Sequence, residues 1–153
     1  SDLMVGWFDA VEKGDALRYG GFDEIVINKL DALTWRGNWV GPLQICVAYQ
    51  GPDGTLYHHV PRNDTLRKTL TPIYEAYNCW EEDLSPMRKY YHLPVNARRY
   101  IAGMLRSIFR VAYGKNLKGL SLPQLRYIGV GPEPGQIIRN LPPVEDILLE
   151  LPE

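Results

Sequence analysis

EIVINKLDAL, residues 24–33, is the stretch on which the reading of this chain turns. Its first half is short, apolar and rich in β-branched residues, which predicts a buried strand over 24–28. The strand gives way at once to Asn28-Lys29-Leu30-Asp31, an N-K-x-D pattern. Guanine offers two adjacent donors, N1–H and the 2-amino group, and one in-plane carboxylate accepts both. Adenine offers no such pair, so Asp31 would select the base. Lys29 has a methylene stem that can lie over a purine face, and Asn28 can brace the loop. The plainer alternative is a polar strand end with a solvated lysine and a turn-making aspartate, and the tetrapeptide alone does not choose.

Working outward, strands and helices interleave. Upstream, residues 9–19 read as a helix with Asp9 as N-cap, Gly14 as a weak point and Gly20-Gly21 as the stop. Downstream, 34–41 is a loop holding Trp35 and Trp39, and 43–50 (LQICVAYQ) is a second strand. The turn Gly51-Pro52-Asp53-Gly54 returns it into a hairpin partner over 55–60. A polar loop over 61–70 leads to a strand over 72–77, then to loop or a short helical turn over 81–87.

The clearest helix spans 96–113. Ala97, Tyr100, Ile101, Met104, Leu105, Ile108, Val111 and Ala112 share one face at 3–4 spacing, and Gly114 stops it. A last strand over 125–129 runs into the loop 130–135, and a short helix closes the chain over 143–151. No repeat, low-complexity run or linker interrupts this order. The expectation is one α/β domain over 1–153, a central mixed sheet with flanking helices.

Bulk properties narrow the function. The net charge of −1 supplies no basic field for nucleic acid or an anionic membrane. No apolar run approaches the ~18 residues that suggest a membrane span. Residues 1–4 lack a signal-peptide layout and an initiator Met, which reads as a processed product or a piece of a longer chain. Cys46 and Cys79 form no CxxC, and two buried thiols in a reducing compartment is the simplest account.

Other candidates carry less. Gly129-Val130-Gly131-Pro132 follows a strand, and its small residues would let backbone approach a flat ligand; a plain Gly-Pro turn is the alternative. His58-His59 alternate faces and have no third ligand at metal spacing. Glu81-Glu82-Asp83 reads as a solvated loop, and Arg98-Arg99 as helix surface rather than a phosphate clamp. Neither cysteine has a basic neighbourhood that would make it a nucleophile. Trp35 and Trp39 could cover a base or simply anchor their loop. No G-x-x-x-x-G-K-[ST] occurs, and no other Gly-rich loop opens a helix in the first hundred residues. The chain therefore reads as a base reader without a phosphate cradle.

A series of segments, in order, then resembles the C-terminal part of the adenylosuccinate synthetase family. They are Gly6-Trp7-Phe8-Asp9-Ala10-Val11 and N-K-L-D-A-L at 28–33, the latter for the family's T-K-L-D-V-L. Ile45-Cys46-Val47-Ala48-Tyr49 follows, then Pro72-Ile73-Tyr74-Glu75 with Trp80. Leu93-Pro94-Val95-Asn96-Ala97-Arg98-Arg99-Tyr100 matches L-P-x-N-A-R-x-Y, and Ile128-Gly129-Val130-Gly131-Pro132 with Gln136 is similar to I-S-V-G-P-x-R-x-Q. The resemblance runs from about Gly6 to Ile138. Gly129 stands where the family has Ser, and Pro134 where it has Arg.

The resemblance implies an enzyme that ligates IMP and aspartate at the expense of GTP, with Mg²⁺, as a cytoplasmic homodimer in purine biosynthesis. It implies that Lys29 and Asp31 contact the guanine of GTP and that Gly131 and Pro132 line the same pocket. The family's phosphate loop and catalytic acid–base pair lie in an N-terminal region not represented here. No catalytic or metal-binding residue is therefore expected in this chain, and it should be inactive alone. Its expected partners are a purine nucleotide and either the N-terminal half of the enzyme or a second subunit. Two other readings stay open: a divergent relative acting on dGMP with ATP, and a non-catalytic nucleotide-binding or interaction module.

Overall fold

A strand with partners on both sides satisfies its backbone most fully, and residues 43–50 meet that condition best. The computed structural model describes residues 7–20, 24–35 and 42–152. In it β3 (Leu43–Gln50) is the hub of a four-stranded sheet. Strand β1 (Trp7–Asp9) pairs with it in parallel, Phe8 opposite Ile45. The two-residue β4 (Leu56–Tyr57) and the longer β5 (Thr71–Tyr77) pair with it antiparallel. A second, three-stranded sheet has the order β2-β6-β7. There β2 (Glu24–Ile27) runs parallel to β6 (Gln124–Gly129), and the short β7 (Ile137–Ile138) returns antiparallel. The class is α/β, with mixed pairing in both sheets.

Helix α3 (Val95–Tyr113) lies at the centre of the core. The eight residues expected on its apolar face are all buried or half-buried. Ala102, Gly103 and Phe109 are buried too, because α3 is covered on more than one side. Gly114 ends the helix at φ 90°, a conformation open to glycine at little cost.

Against α3 packs α1 (Ala10–Gly20), whose first turn is capped as expected: Asp9 Oδ1 accepts from the Glu12 amide at 3.0 Å. Gly14 is the contact point rather than a weakness. A Cβ added there would lie 2.4 Å from Val111 Cβ and 2.8 Å from the Ile108 carbonyl oxygen. The short α4 (Val144–Leu148) packs on α3 from another direction. Beyond it, Arg98 ties the chain end to α3. Its Nε donates to Glu150 at 2.9 Å and its Nη1 to the Leu93 carbonyl at 2.7 Å. Arg106 Nη1 donates to the Pro152 carbonyl at 3.0 Å.

Several expectations are corrected. Residues 24–28 were expected to be buried, but Glu24 is exposed and Val26 is 37% exposed, because β2 pairs with β6 alone among the described residues. The hairpin return expected over 55–60 stops at Tyr57. Beyond it, Asp15 on α1 accepts from the Val60 amide and lies 2.8 Å from His59 Nδ1, drawing the chain off the ladder. The loop over 61–70 contains the one-turn helix α2 (Asp64–Arg67), with Asn63 capping the Thr65 and Leu66 amides. Strands β1 and β7 were not anticipated. Gly6, Gly21, Trp39 and Gly41 lie outside the described residues.

The Gly14 contact yields a test. Alanine there gains about 1 kcal/mol of helix propensity, but the clash with Val111 and the Ile108 backbone outweighs it. Gly14→Ala should destabilise by about 1–3 kcal/mol, seen as a lower urea midpoint with an unchanged slope. Gly135→Ala is the control, because a Cβ there meets nothing within 4 Å.

Candidate functional site

Because β2 and β6 run in parallel, their C-terminal ends emerge side by side, and loops that would otherwise be unrelated meet there. The crevice beyond the carboxyl ends of parallel strands is the usual ligand position in α/β sheets. From β2 the chain enters a 3₁₀ turn, Leu30–Leu33. Leu30 is buried and anchors it. The Lys29 carbonyl accepts from the Ala32 amide at 3.0 Å, and the Asp31 carbonyl from the Thr34 amide at 3.2 Å.

Lys29 adopts φ 58°, ψ 37°, the left-handed region, and is the one non-glycine with positive φ among the described residues. That conformation costs a lysine about 1–2 kcal/mol, so the surrounding contacts hold it there. Gly129, at the end of β6, is one of them. A Cβ added there would sit 3.2 Å from the Lys29 nitrogen and 3.4 Å from Asn28 Cα. A glycine at this position lets β6 press against the loop more closely than a serine would.

From β6 the chain turns through 130–136. The Val130 amide donates to the Gln136 carbonyl at 2.8 Å, and the Glu133 amide to Gln136 Oε1 at 2.9 Å. Gly131 makes room for that glutamine, since a Cβ would meet Gln136 Oε1 at 2.3 Å.

A cleft of about 440 Å³ opens between these loops. Asp31 and Trp35 form part of its wall, Pro132 and Gln136 another, and Glu81, Asp83 and Ser85 a third. The structure thus brings Asp31 and Pro132 together at one cleft. Lys29 and Gly131 stand next to them in sequence but are not among the lining residues. Glu81 and Asp83 are exposed, as expected of a solvated loop, and they also border the cleft. No local signal marked them, because the 80–85 segment reaches the site only through tertiary contacts.

Those contacts are specific. Buried Trp80 donates from Nε1 to Thr34 Oγ1 at 2.9 Å, and Thr34 Oγ1 donates to the Glu82 carbonyl at 3.1 Å. The Trp35 amide donates to the Trp80 carbonyl at 2.8 Å. Cys79 Sγ donates to the Leu33 carbonyl at 3.1 Å. Asn96, in the first turn of α3, donates to the Cys79 carbonyl at 3.0 Å. Two loops distant in sequence are thereby stitched into one rigid rim.

Within that rim, Asp31 Oδ1 is buried and has no hydrogen-bond partner among the described residues. A buried acceptor left without a donor costs about 1–3 kcal/mol, so Asp31 is the cleft residue with hydrogen bonding still to be satisfied. Among the described residues the cleft wall carries Asp31, Glu81 and Asp83 and no lysine or arginine. It therefore repels phosphate and favours a donor-rich group. Ser85 already engages Asp83, donating from its amide and its hydroxyl at 3.0 Å each.

The remaining candidates have other employment. Burial pushes the Cys46 and Cys79 thiols up, so neither is a ready thiolate. His59 pairs with Asp15, and Arg98 pairs with Glu150 rather than standing free for phosphate. A smaller hollow of about 280 Å³ is lined by Asp9, Tyr49 and Arg67. Asp9 is occupied there, capping α1 and accepting the Tyr49 hydroxyl. Among the described residues no three His, Cys, Asp or Glu side chains converge as a metal site. The described residues therefore offer no donor set that fits Mg²⁺.

Comparison with known proteins gives concordant matches. The family model described as Adenylosuccinate synthetase matches residues 3–121 and stops before the Gly129–Pro132 turn. An adenylosuccinate synthetase from Corynebacterium urealyticum is 36% identical over 133 residues, 87% of this chain and 27% of that protein. One from Fusobacterium nucleatum is 40% identical over 96 residues, 63% of this chain and 21% of that protein. The chain thus spans about a quarter of the length of the curated relatives it matches. Among solved structures, a fully ligated adenylosuccinate synthetase from Plasmodium falciparum shares the fold. Its TM-score is 0.67 at 23% identity, covering 88% of this chain and 28% of that one.

The left-handed lysine can be checked directly. Lys29→Val places a β-branched residue where that conformation is most costly and should lower stability by about 1–2 kcal/mol. Lys29→Asn, a residue that tolerates the region, should leave it nearly unchanged in equilibrium unfolding.

Proposed function

The chain belongs to the adenylosuccinate synthetase family, and from that premise we propose that it is the purine-base-binding region of a GTP-dependent ligase joining IMP to aspartate. The proposal takes residues 1–153 as one C-terminal domain acting in cytoplasmic purine biosynthesis. Asp31 reads the guanine edge and Pro132, with Gly131 beside it, forms the turn behind the base; the Lys29 stem, which does not line the cleft of the free chain, reaches over the base once nucleotide is bound. The observation that carries this reading is that Asp31, whose Oδ1 is buried without a hydrogen-bond partner among the described residues, lines an acidic cleft.

The chemistry assigns the ligand's orientation. Guanine presents N1–H and the 2-amino group to a carboxylate. Adenine would set its N1 lone pair against the same oxygen. The triphosphate, with its own negative charge, extends away from a wall that carries three carboxylates. Positioning of phosphates and Mg²⁺ falls to parts of the enzyme beyond this chain. Its partner is then the N-terminal portion of the same enzyme or a second subunit, and the assembled enzyme is a homodimer.

Two outcomes follow. Asp31→Asn keeps the side chain's shape but turns one oxygen into a donor that opposes the guanine 2-amino group. GTP affinity should fall roughly 10²-fold, at ~1.4 kcal/mol per tenfold. Xanthine carries a carbonyl at C2, so the same variant should gain preference for XTP. Calorimetric titration with both nucleotides measures the switch, and an unchanged GTP-to-XTP ratio would sink the base-reading role. Separately, the purified chain should form no adenylosuccinate from IMP, aspartate, GTP and Mg²⁺, because phosphoryl transfer needs its phosphates and ion clamped. Turnover that disappears on mutating a residue of this chain would refute that.

A further inference from the structure

We infer that Trp35 is a base-stacking residue of this site, an aromatic platform that determines affinity alongside the edge contact of Asp31. The inference rests on the guanine-pocket reading above and adds a residue that the resemblance did not supply.

Trp35 is 45% exposed although its backbone is pinned to the Trp80 carbonyl at 2.8 Å. Large aromatic surface left in water beside a fixed backbone is unusual, since an indole gains most by burial. Its surface lines the cleft that contains Asp31. The two residues sit at the two ends of one short segment. Leu30 holds that segment from below, and the Trp80–Thr34 bond holds it from the side. Edge reader and ring are thus fixed relative to each other before any ligand arrives, which lowers the ordering cost of binding.

The acidic wall adds a second reason. Carboxylates can accept from the rim of a base, but they offer its faces nothing. A flat heteroaromatic ring held at its edge by Asp31 needs a face contact, and Trp35 is the only aromatic side chain among the described residues lining the cleft. Lys29 does not line it. The platform therefore makes the site selective for flat, donor-rich heterocycles, with the edge contact choosing among purines and the ring contributing equally to all of them.

The test titrates the full chain with GTP, ITP and XTP, following heat and tryptophan emission together. Trp35→Ala should weaken all three by about tenfold or more, and Trp35→Phe should restore most of that loss. Lys29→Ala should cost less than Trp35→Ala. GTP should quench emission in the parent chain and in Asp31→Asn at saturation, but not in Trp35→Phe. That signature is one that a merely structural tryptophan would not produce. If Trp35→Ala binds GTP within about twofold of the parent while Asp31→Asn still switches toward XTP, stacking is overturned and the base reading stands. Quenching that persists in Trp35→Phe also overturns stacking, even if Trp35→Ala fails to fold. If the parent chain binds none of the three nucleotides, the guanine reading and this inference fall together.

Discussion

The parallel pairing of β2 with β6 is the constraint from which the site follows. It sets Glu24 opposite Gln124 and Ile27 opposite Ile128, joining segments from opposite ends of the chain. Parallel strands place their outgoing loops at the same edge, so the turn that holds Asp31 and the turn that holds Pro132 become neighbours. An antiparallel arrangement would have sent them to opposite edges. Gly129 tightens the arrangement by removing the side chain that would hold the two turns apart.

Electrostatics then divide the labour. A nucleotide has a neutral, donor-bearing end and a strongly anionic end, and one small surface cannot serve both well. Here the cleft wall is acidic and carries an unpaired carboxylate oxygen. Two arginines of the described residues are engaged elsewhere: Arg98 on Glu150 and the Leu93 carbonyl, and exposed Arg18 in a cluster with His59 and Tyr19. On the proposed function, such a surface suits the base and leaves the phosphates to another.

Much of this was legible in the sequence, for identifiable reasons. Helix α3 announced itself because eight apolar residues recur at helical spacing. β3 matched its expected bounds because a mostly apolar octet between turn signals has few alternatives. Asp9 was readable as a cap because capping is local. Failures came where tertiary partners decide. Gly14 looked like a helix defect because Val111, which it accommodates, lies far along the chain. β7 is two residues long and exists only because β6 offers it an edge. Glu81 and Asp83 are exposed, as a solvated loop should be, but their place beside the cleft was hidden because nothing nearby in sequence hints that Trp80 would bond to Thr34. In the site, the carboxylate was visible as chemistry, whereas the wall around it was visible only as geometry.

The Arg98 and Arg106 contacts to Glu150 and Pro152 also shape how the molecule bears load. A pull on the C-terminal segment is met first by an ion pair and a charge-assisted bond running into α3, the central helix. A pull from the other side meets β1, three residues held in parallel to β3. The first route engages the core almost at once; the second can peel away a short strand before α1 is strained. The two sides of the fold are thus held by different contacts, side-chain bonds into α3 on one and a short parallel ladder on the other. A threading machine that unravels proteins would find the two directions unequal.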